Sequence, residues 1–167
     1  MHAVVVDAGA PTAAAGERLV ERALEWAAGL TGAPAVRVEA GPLPAIVAEG
    51  VAGGVPLVVV ASHMPRLAAI HAQGLRDDLA AGADLVLGAT LGGGWYLLAL
   101  AAPQPELFGA WAPPYRAAEL LGAAGAAGLE VGLLRHERAL ESESDLPALL
   151  ADPLLPAGVR AVLAGGE

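Results

Sequence analysis

Gly82-Ala83-Asp84-Leu85-Val86-Leu87-Gly88-Ala89-Thr90-Leu91-Gly92-Gly93-Gly94-Trp95-Tyr96-Leu97-Leu98-Ala99-Leu100 decides how this chain folds. No charge occurs between Asp84 and Glu106, a run of 21 residues (85–105), long enough to be tested as a membrane span. Three consecutive glycines at its centre argue against a continuous helix. The flanks are short, apolar and rich in Val, Leu and aromatic residues, as buried strands are. The run therefore reads as two strands, over 84–87 and 95–100, around a glycine turn. No membrane partner is expected.

The same reading extends in both directions. Val4-Val5-Val6 is a short β-branched run closed by Asp7 and the breakers Gly9 and Pro11; residues 17–30 then carry apolar side chains at helix spacing, at Leu19, Val20, Ala23, Leu24 and Ala27. Residues 35–38 read as a strand, 46–51 as a short helix, and Val-Pro-Leu-Val-Val-Val up to Ala61 as a strand covered on both faces. Pro65 is expected to open a helix that reaches Ala81. Further on, 115–127 reads as a helix, 129–134 as the last strand, and 145–150 as a short helix with Asp145 near its N-cap. Strands alternating with helices at this spacing predict an α/β three-layer sandwich with a mainly parallel central sheet, in one domain over 1–167. Ligands of such sheets sit beyond the strand C-terminal ends, which draws attention to 7–11, 61–65, 88–94 and 135–144.

Composition narrows the function. The chain has 167 residues, 56% of them hydrophobic, and a mean hydropathy of +0.57, so it can bury a core despite 22 Gly and 13 Pro. Nine Arg, no Lys and eighteen acids leave a net charge of -9. The arginines are scattered singly, which disfavours nucleic acid, whose phosphates need clustered cations. The absence of cysteine removes disulfides, thiolate metal sites and a Cys nucleophile. Asp7 interrupts the first apolar stretch too early for a signal peptide, so a cytoplasmic protein is expected. A homo-oligomer stays open.

The stretch 82–108, with Pro105-Glu106-Leu107-Phe108 at its end, resembles a bacterial family of small nucleotide-diphospho-sugar transferase-like proteins. These are the rSAM/selenodomain-associated transferases, related to phospholactate guanylyltransferase. Their pattern there is G-A-D-V-V-L-G-P-A-E-D-G-G-Y-Y-L, followed by P-E-L-F and P-W-S-T. The similarity runs over roughly 54–150, with the strand at 56–65 in the place of one ending in G-T-D-C-P, and Glu141-Ser142-Glu143-Ser144 where the family has D-V-D-T. It implies a glycosyltransferase-A-like fold and transfer from a nucleotide or nucleotide sugar with a divalent cation.

The departures bear on the chemistry. The basic opening loop that would grip phosphates is Thr12-Ala13-Ala14-Ala15-Gly16 here, and His63 stands where the family offers an Asp to the cation. The acidic pair before the glycines has become Leu91-Gly92, and P-W-S-T has become Ala110-Trp111-Ala112-Pro113. Imidazole is a poor ligand for magnesium, so neither metal nor cofactor is expected. Trp95, Tyr96, Phe108, Trp111 and Tyr115 are expected to crowd one cleft and make it drier, suiting a small, mostly apolar substrate; alternatively they fill the core.

His63 follows a buried strand and can serve as an acid/base near neutrality, or be a hydrogen-bonded loop residue without chemistry. Glu141 and Glu143, two apart in an extended segment, would face one side and orient or share a proton with His63; otherwise they belong to a solvated loop. The expected catalytic set is His63, Glu143, Glu141 and Tyr96 as hydrogen-bond donor. Asp7, Ser62, Trp95, Trp111, Gly93 and Gly94 are expected to bind substrate. His71, read as mid-helix, and His136, in the charged run 135–138, are expected to lie outside the site. The sequence thus predicts a diverged transferase-fold enzyme performing isomerisation, cyclisation or elimination by general acid/base chemistry. Retained nucleotidyl or glycosyl transfer, and a non-catalytic scaffold subunit, are the alternatives.

Overall fold

A computed structural model describes residues 1–10, 13–109, 113 and 115–165. The elements follow the order β1 (His2–Asp7), α1 (Ala13–Thr31), β2 (Val36–Glu39), α2 (Leu43–Gly53), β3 (Leu57–Ala61), α3 (Ala69–Ala80), β4 (Leu85–Thr90), β5 (Trp95–Leu100), α4 (Pro105–Gly109), α5 (Ala117–Ala126), β6 (Val131–Glu137), α6 (Leu146–Ala151) and α7 (Ala157–Leu163). They build one sheet of order β2-β1-β3-β5-β4-β6. The β1–β2, β1–β3 and β4–β6 pairs are parallel, while β5 runs antiparallel to both β3 and β4. This is the expected mainly parallel sheet, with one reversed strand.

Alternation of side chains along the strands divides the core into two faces. Val5, Val58, Val60, Val86 and Ala99 meet Ala23 and Ala27 of α1 and Leu75 of α3. Val4, Val6, Val59, Leu87 and Leu98 meet Val47 of α2, Leu107 of α4 and Leu120 of α5. The three layers follow from that division. A third apolar cluster joins Ala15 and Leu19 of α1 to Leu140, Leu149, Leu155, Val159 and Leu163, so α6 and α7 clasp the start of α1 and anchor the segment after β6. Arg160 holds the two short helices together by donating to the carbonyls of Leu150 and Asp152.

The reversed strand comes from the glycine turn. Thr90 and Gly94 pair through their backbone at 3.0 Å, Gly93 N–H returns to the Thr90 carbonyl at 3.0 Å, and Gly93 takes φ +84°, a left-handed conformation that glycine adopts without strain. The hairpin brings the start of β5 to the sheet edge where β1, β3 and β4 end.

Two expectations change. The helix after β3 begins at Ala69 rather than Pro65, because Leu67 is buried, Arg66 turns toward Glu137 and Asp152, and the Ala68 N–H is taken by His71 Nδ1 at 3.1 Å. His71 is therefore in the first turn of α3. Tyr96, expected in the cleft, is fully buried on the α1/α3 side: its ring lies over Gly88 and edge-on to His71, with centroids 5.7 Å apart, and its hydroxyl donates to the Arg135 carbonyl at 3.0 Å. Burial, with the Glu137 charge, pushes that phenol's pKa up, so it remains protonated as a donor.

A Cβ at Gly88 would lie 2.8 Å from both Tyr96 Cε1 and Cε2. Gly88→Ala is expected to destabilise the protein by about 1–3 kcal/mol through overpacking, measured as a lowered urea midpoint with an unchanged slope.

Candidate functional site

Four segments meet where the parallel strands end. Residues 8–10 follow β1, His63 follows β3, Gly94 and Trp95 open β5, and residues 140–143 follow β6; together they line a cleft of about 630 Å³. The strand order changes direction beside β1, and a crevice at such a point is where α/β sheets bind ligands.

Each wall is fixed by contacts distant in sequence. Ser62, 1% exposed, accepts the Ala8 N–H on its hydroxyl at 3.0 Å and thereby braces the first wall. The His63 carbonyl accepts the Leu140 N–H at 2.8 Å, tying the second wall to the fourth. Thr90, 2% exposed, donates its hydroxyl to Glu141 Oε1 at 3.1 Å and accepts the Gly94 N–H at 3.0 Å. A Cβ at Gly92 would come within 2.9 Å of Glu141 Oε2, so the glycine turn makes room for this carboxylate. Asp145 Oδ2 then accepts the amides of Glu141 at 3.1 Å and Ser142 at 2.9 Å, and Glu143 opens a 3-10 turn. Asp145 does stand at the start of α6, but its carboxylate reaches backward and does not cap that helix.

The His63 Nδ1 atom is buried and has no hydrogen-bond partner among the described residues. Burial lowers the pKa of this imidazole, while the charges of Glu141 and Asp145 act in the opposite direction. Burial wins, and His63 is a neutral group at pH 7, able to accept a proton.

His63, Glu141, Glu143, Trp95 and Gly94 thus come together in one cleft. Asp7 does not join its lining: it pairs with Arg37 at 2.7 Å and accepts the Gly9 N–H at 3.2 Å, shaping the turn instead. Ser62 and Gly93 support the walls from behind, and Tyr96 belongs to the core. Phe108 and Tyr115 pack on the α2/α5 side, so the expected aromatic crowd does not form around the cleft. Trp111 lies outside the described residues. Two carboxylates, Glu141 and Glu143, stand on the wall beside the apolar Ala8, Ala10, Trp95 and Leu140. Glu143 has no ion-pair partner among the described residues.

Glu137 was missed because it sits in a run of four charged or polar residues that reads as surface. It is 3% exposed, and its carboxylate meets His71 Nε2 at 3.1 Å, Arg66 Nη1 at 3.4 Å and Arg135 Nε. Arg66 also pairs with Asp152 at 2.8 Å. His71 Nδ1 accepts the Ala68 N–H, so the ring's Nε2–H is the one that donates to Glu137. The loop carrying His63 and the strand leading to Glu141 are therefore fastened at one buried carboxylate. Thr90 was missed as well; its only signal is a hydroxyl in an otherwise apolar strand.

A family profile described as "Uncharacterized protein conserved in bacteria (DUF2064)" matches residues 3–112. The chain belongs to the DUF2064 family. The match takes in His63, Thr90, Gly94 and Trp95 and ends before the wall formed by 140–143. No curated protein matches the chain. Among solved structures, this DUF2064 member is similar to a crystal structure from Desulfovibrio desulfuricans G20 described as a "putative nucleotide-diphospho-sugar transferase", with a TM-score of 0.69 and 14% identity. The alignment covers 99% of this chain and 95% of that one. The likeness is one of fold, and it bears out the transferase-like architecture. No helix among the described residues is long and apolar enough to cross a membrane.

The resemblance read from the sequence implies a divalent cation held in part by the loop after β3. Magnesium takes an octahedron of hard oxygen ligands. The loop after β3 offers an imidazole instead, and no group of three His, Asp or Glu side chains among the described residues is disposed to hold a metal ion.

Because Glu141 opposes the effect of burial, Glu141→Gln is expected to lower the His63 pKa further, read from the imidazole shifts in an NMR pH titration. His63 also sets a term in acid stability. Its folded pKa lies below the unfolded value of about 6.5, so the unfolded chain binds the extra proton first and stability falls as pH drops through about 6.5, levelling off only below the folded pKa. That part of the acid loss is expected to vanish in His63→Gln, measured by urea unfolding at pH 7.5 and 5.5. Glu137→Ala would leave Arg66 without one of its two carboxylate partners and is expected to destabilise by about 3 kcal/mol.

Proposed function

We propose that this DUF2064 protein is an enzyme acting on a small organic metabolite by metal-independent general acid/base chemistry, with His63 as the proton-transferring group. The observation that carries the reading is a histidine on the cleft wall, its buried Nδ1 without a partner among the described residues, beside two carboxylates; burial lowers the pKa of that imidazole. A neutral imidazole removes a proton from substrate, and the nearby Glu141 charge stabilises the imidazolium that forms. In isomerisation or cyclisation the same proton returns to another atom of the substrate; in elimination it leaves with the departing group. Glu143 orients the substrate at the mouth of the cleft, and Trp95, Leu140 and Ala10 supply the apolar contact. Tyr96 has no direct part in this reading.

A nucleotidyl or glycosyl transfer is the second reading, favoured by the description given to the Desulfovibrio neighbour. It requires cations for the phosphates. The lining includes neither Arg nor Lys, the sequence at 11–12 and 110–114 contains none, and the chain carries -9 overall. Calorimetric titration with GTP, CTP and a UDP-sugar in the presence of magnesium separates the two readings. No binding tighter than about 1 mM is expected; tight, metal-dependent binding would overturn the acid/base reading. In a mass-spectrometric screen of metabolite mixtures, any compound the wild type converts is expected to be converted about 10²–10⁴-fold more slowly by His63→Gln. Unchanged turnover would remove His63 from the chemistry.

A further inference from the structure

The chemistry of the cleft wall narrows the substrate class. Its polar side chains are acceptors or neutral: the carboxylates of Glu141 and Glu143, the imidazole of His63 and the hydroxyl of Ser142. Nδ1 of His63 is buried and unpartnered, and burial resists protonation of that ring. Glu143 has no ion-pair partner among the described residues, and Glu141 keeps Oε2 beside Gly92 while Oε1 takes the Thr90 hydroxyl. The nearest arginines are engaged elsewhere: Arg116 donates to the Gly92 carbonyl at 2.7 Å, and Arg138 faces Asp145 at 3.8 Å in a separate hollow on the far side of Glu141. An anion brought here meets repulsion from two carboxylates, and an uncharged alcohol supplies a single donor for several acceptors. A primary ammonium supplies three N–H donors and the compensating charge. Ala8, Ala10, Leu140 and the Trp95 ring offer contact to a short hydrocarbon body, and an aromatic face near a cation adds attraction.

We infer that the cleft between residues 8–10, His63, Trp95 and Glu141–Glu143 binds a small primary amine in its ammonium form, with the carboxylates of Glu141 and Glu143 as its acceptors and the His63 ring packed beside them. The inference rests on the acid/base reading of the same cleft and names the substrate class that the reading leaves open. It is a statement about equilibrium binding, so it fails independently of any proton-transfer step.

Isosteric probes test it on the full chain. Two series, 3-methylbutan-1-amine with 3-methylbutan-1-ol and 3-methylbutanoate, and 2-phenylethylamine with its alcohol and carboxylate, are titrated at pH 7 and low salt by NMR, following the Trp95 indole and His63 ring signals. At least one amine is expected to bind about tenfold tighter than its alcohol, the carboxylates weakest, as one charge-assisted hydrogen bond would produce. Glu143→Gln, with an unchanged amide spectrum, is expected to reduce the amine's advantage to about threefold or less. Equal binding of amine and alcohol, preference for the carboxylate, no shift with either amine up to 10 mM (about -3 kcal/mol), or an advantage untouched by Glu143→Gln would each overturn the inference. His63→Gln is expected to weaken binding while leaving the charge ranking in place, so a lost ranking counts against the amine assignment and a lost turnover effect of His63 counts against the acid/base reading.

Discussion

The carboxylate of Glu137, buried at the end of β6, has to be neutralised by its neighbours, and meeting that requirement organises the site end of the sheet. An isolated charge removed from water is strongly unfavourable, and a buried one persists only with partners in good geometry. Arg66 reaches it from the loop after β3, His71 from the first turn of α3, and Arg135 from its own strand, while Asp152 holds the far side of Arg66. These contacts explain why α3 starts late, why the chain from His63 to Ala68 is not helical, and why the exit from β6 lies against that loop. The backbone bond from Leu140 to the His63 carbonyl then completes the junction between two cleft walls.

A second constraint comes from backbone without side chains. The glycine turn between β4 and β5 reverses the chain inside an otherwise parallel sheet, so that a strand's beginning lies among other strands' ends. The missing Cβ atoms also admit neighbours: Glu141 beside Gly92, and the Tyr96 ring over Gly88. The first approach places a carboxylate at the cleft; the second takes an aromatic side chain away from it. The fold is that of a nucleotide-diphospho-sugar transferase-like protein, and the cleft lies where such a sheet binds ligands, but its wall presents acceptors in place of cations.

Much of the architecture was legible in the sequence because strand and helix periodicities are local. The six strands, the long first helix and the apolar run ending at Ala61 follow from apolar spacing and breakers, and the Gly92-Gly93-Gly94 turn from conformational freedom. The short helices α4 and α7 carry too few residues to give a periodic signal, and α3 was read four residues too early because proline favours a first turn without determining where tertiary contacts allow one. His63, Glu141, Glu143, Trp95 and Gly94 line one cleft because they follow or open buried strands, a placement that local pattern marks.

What the sequence by itself determined is the order of elements, the absence of lysine and the place of His63 directly after a buried strand, since each depends on residue identity and short-range spacing. Only the tertiary structure decided that Glu137 is buried, that Tyr96 is a core residue and that Thr90 holds Glu141. Besides the Arg135 contact with Glu137, the partners behind those outcomes lie 39 to 71 positions away along the chain, which no local pattern encodes. A charge or a phenol is placed by whatever neutralises or bonds it, and that neighbour is known only once the strands have paired.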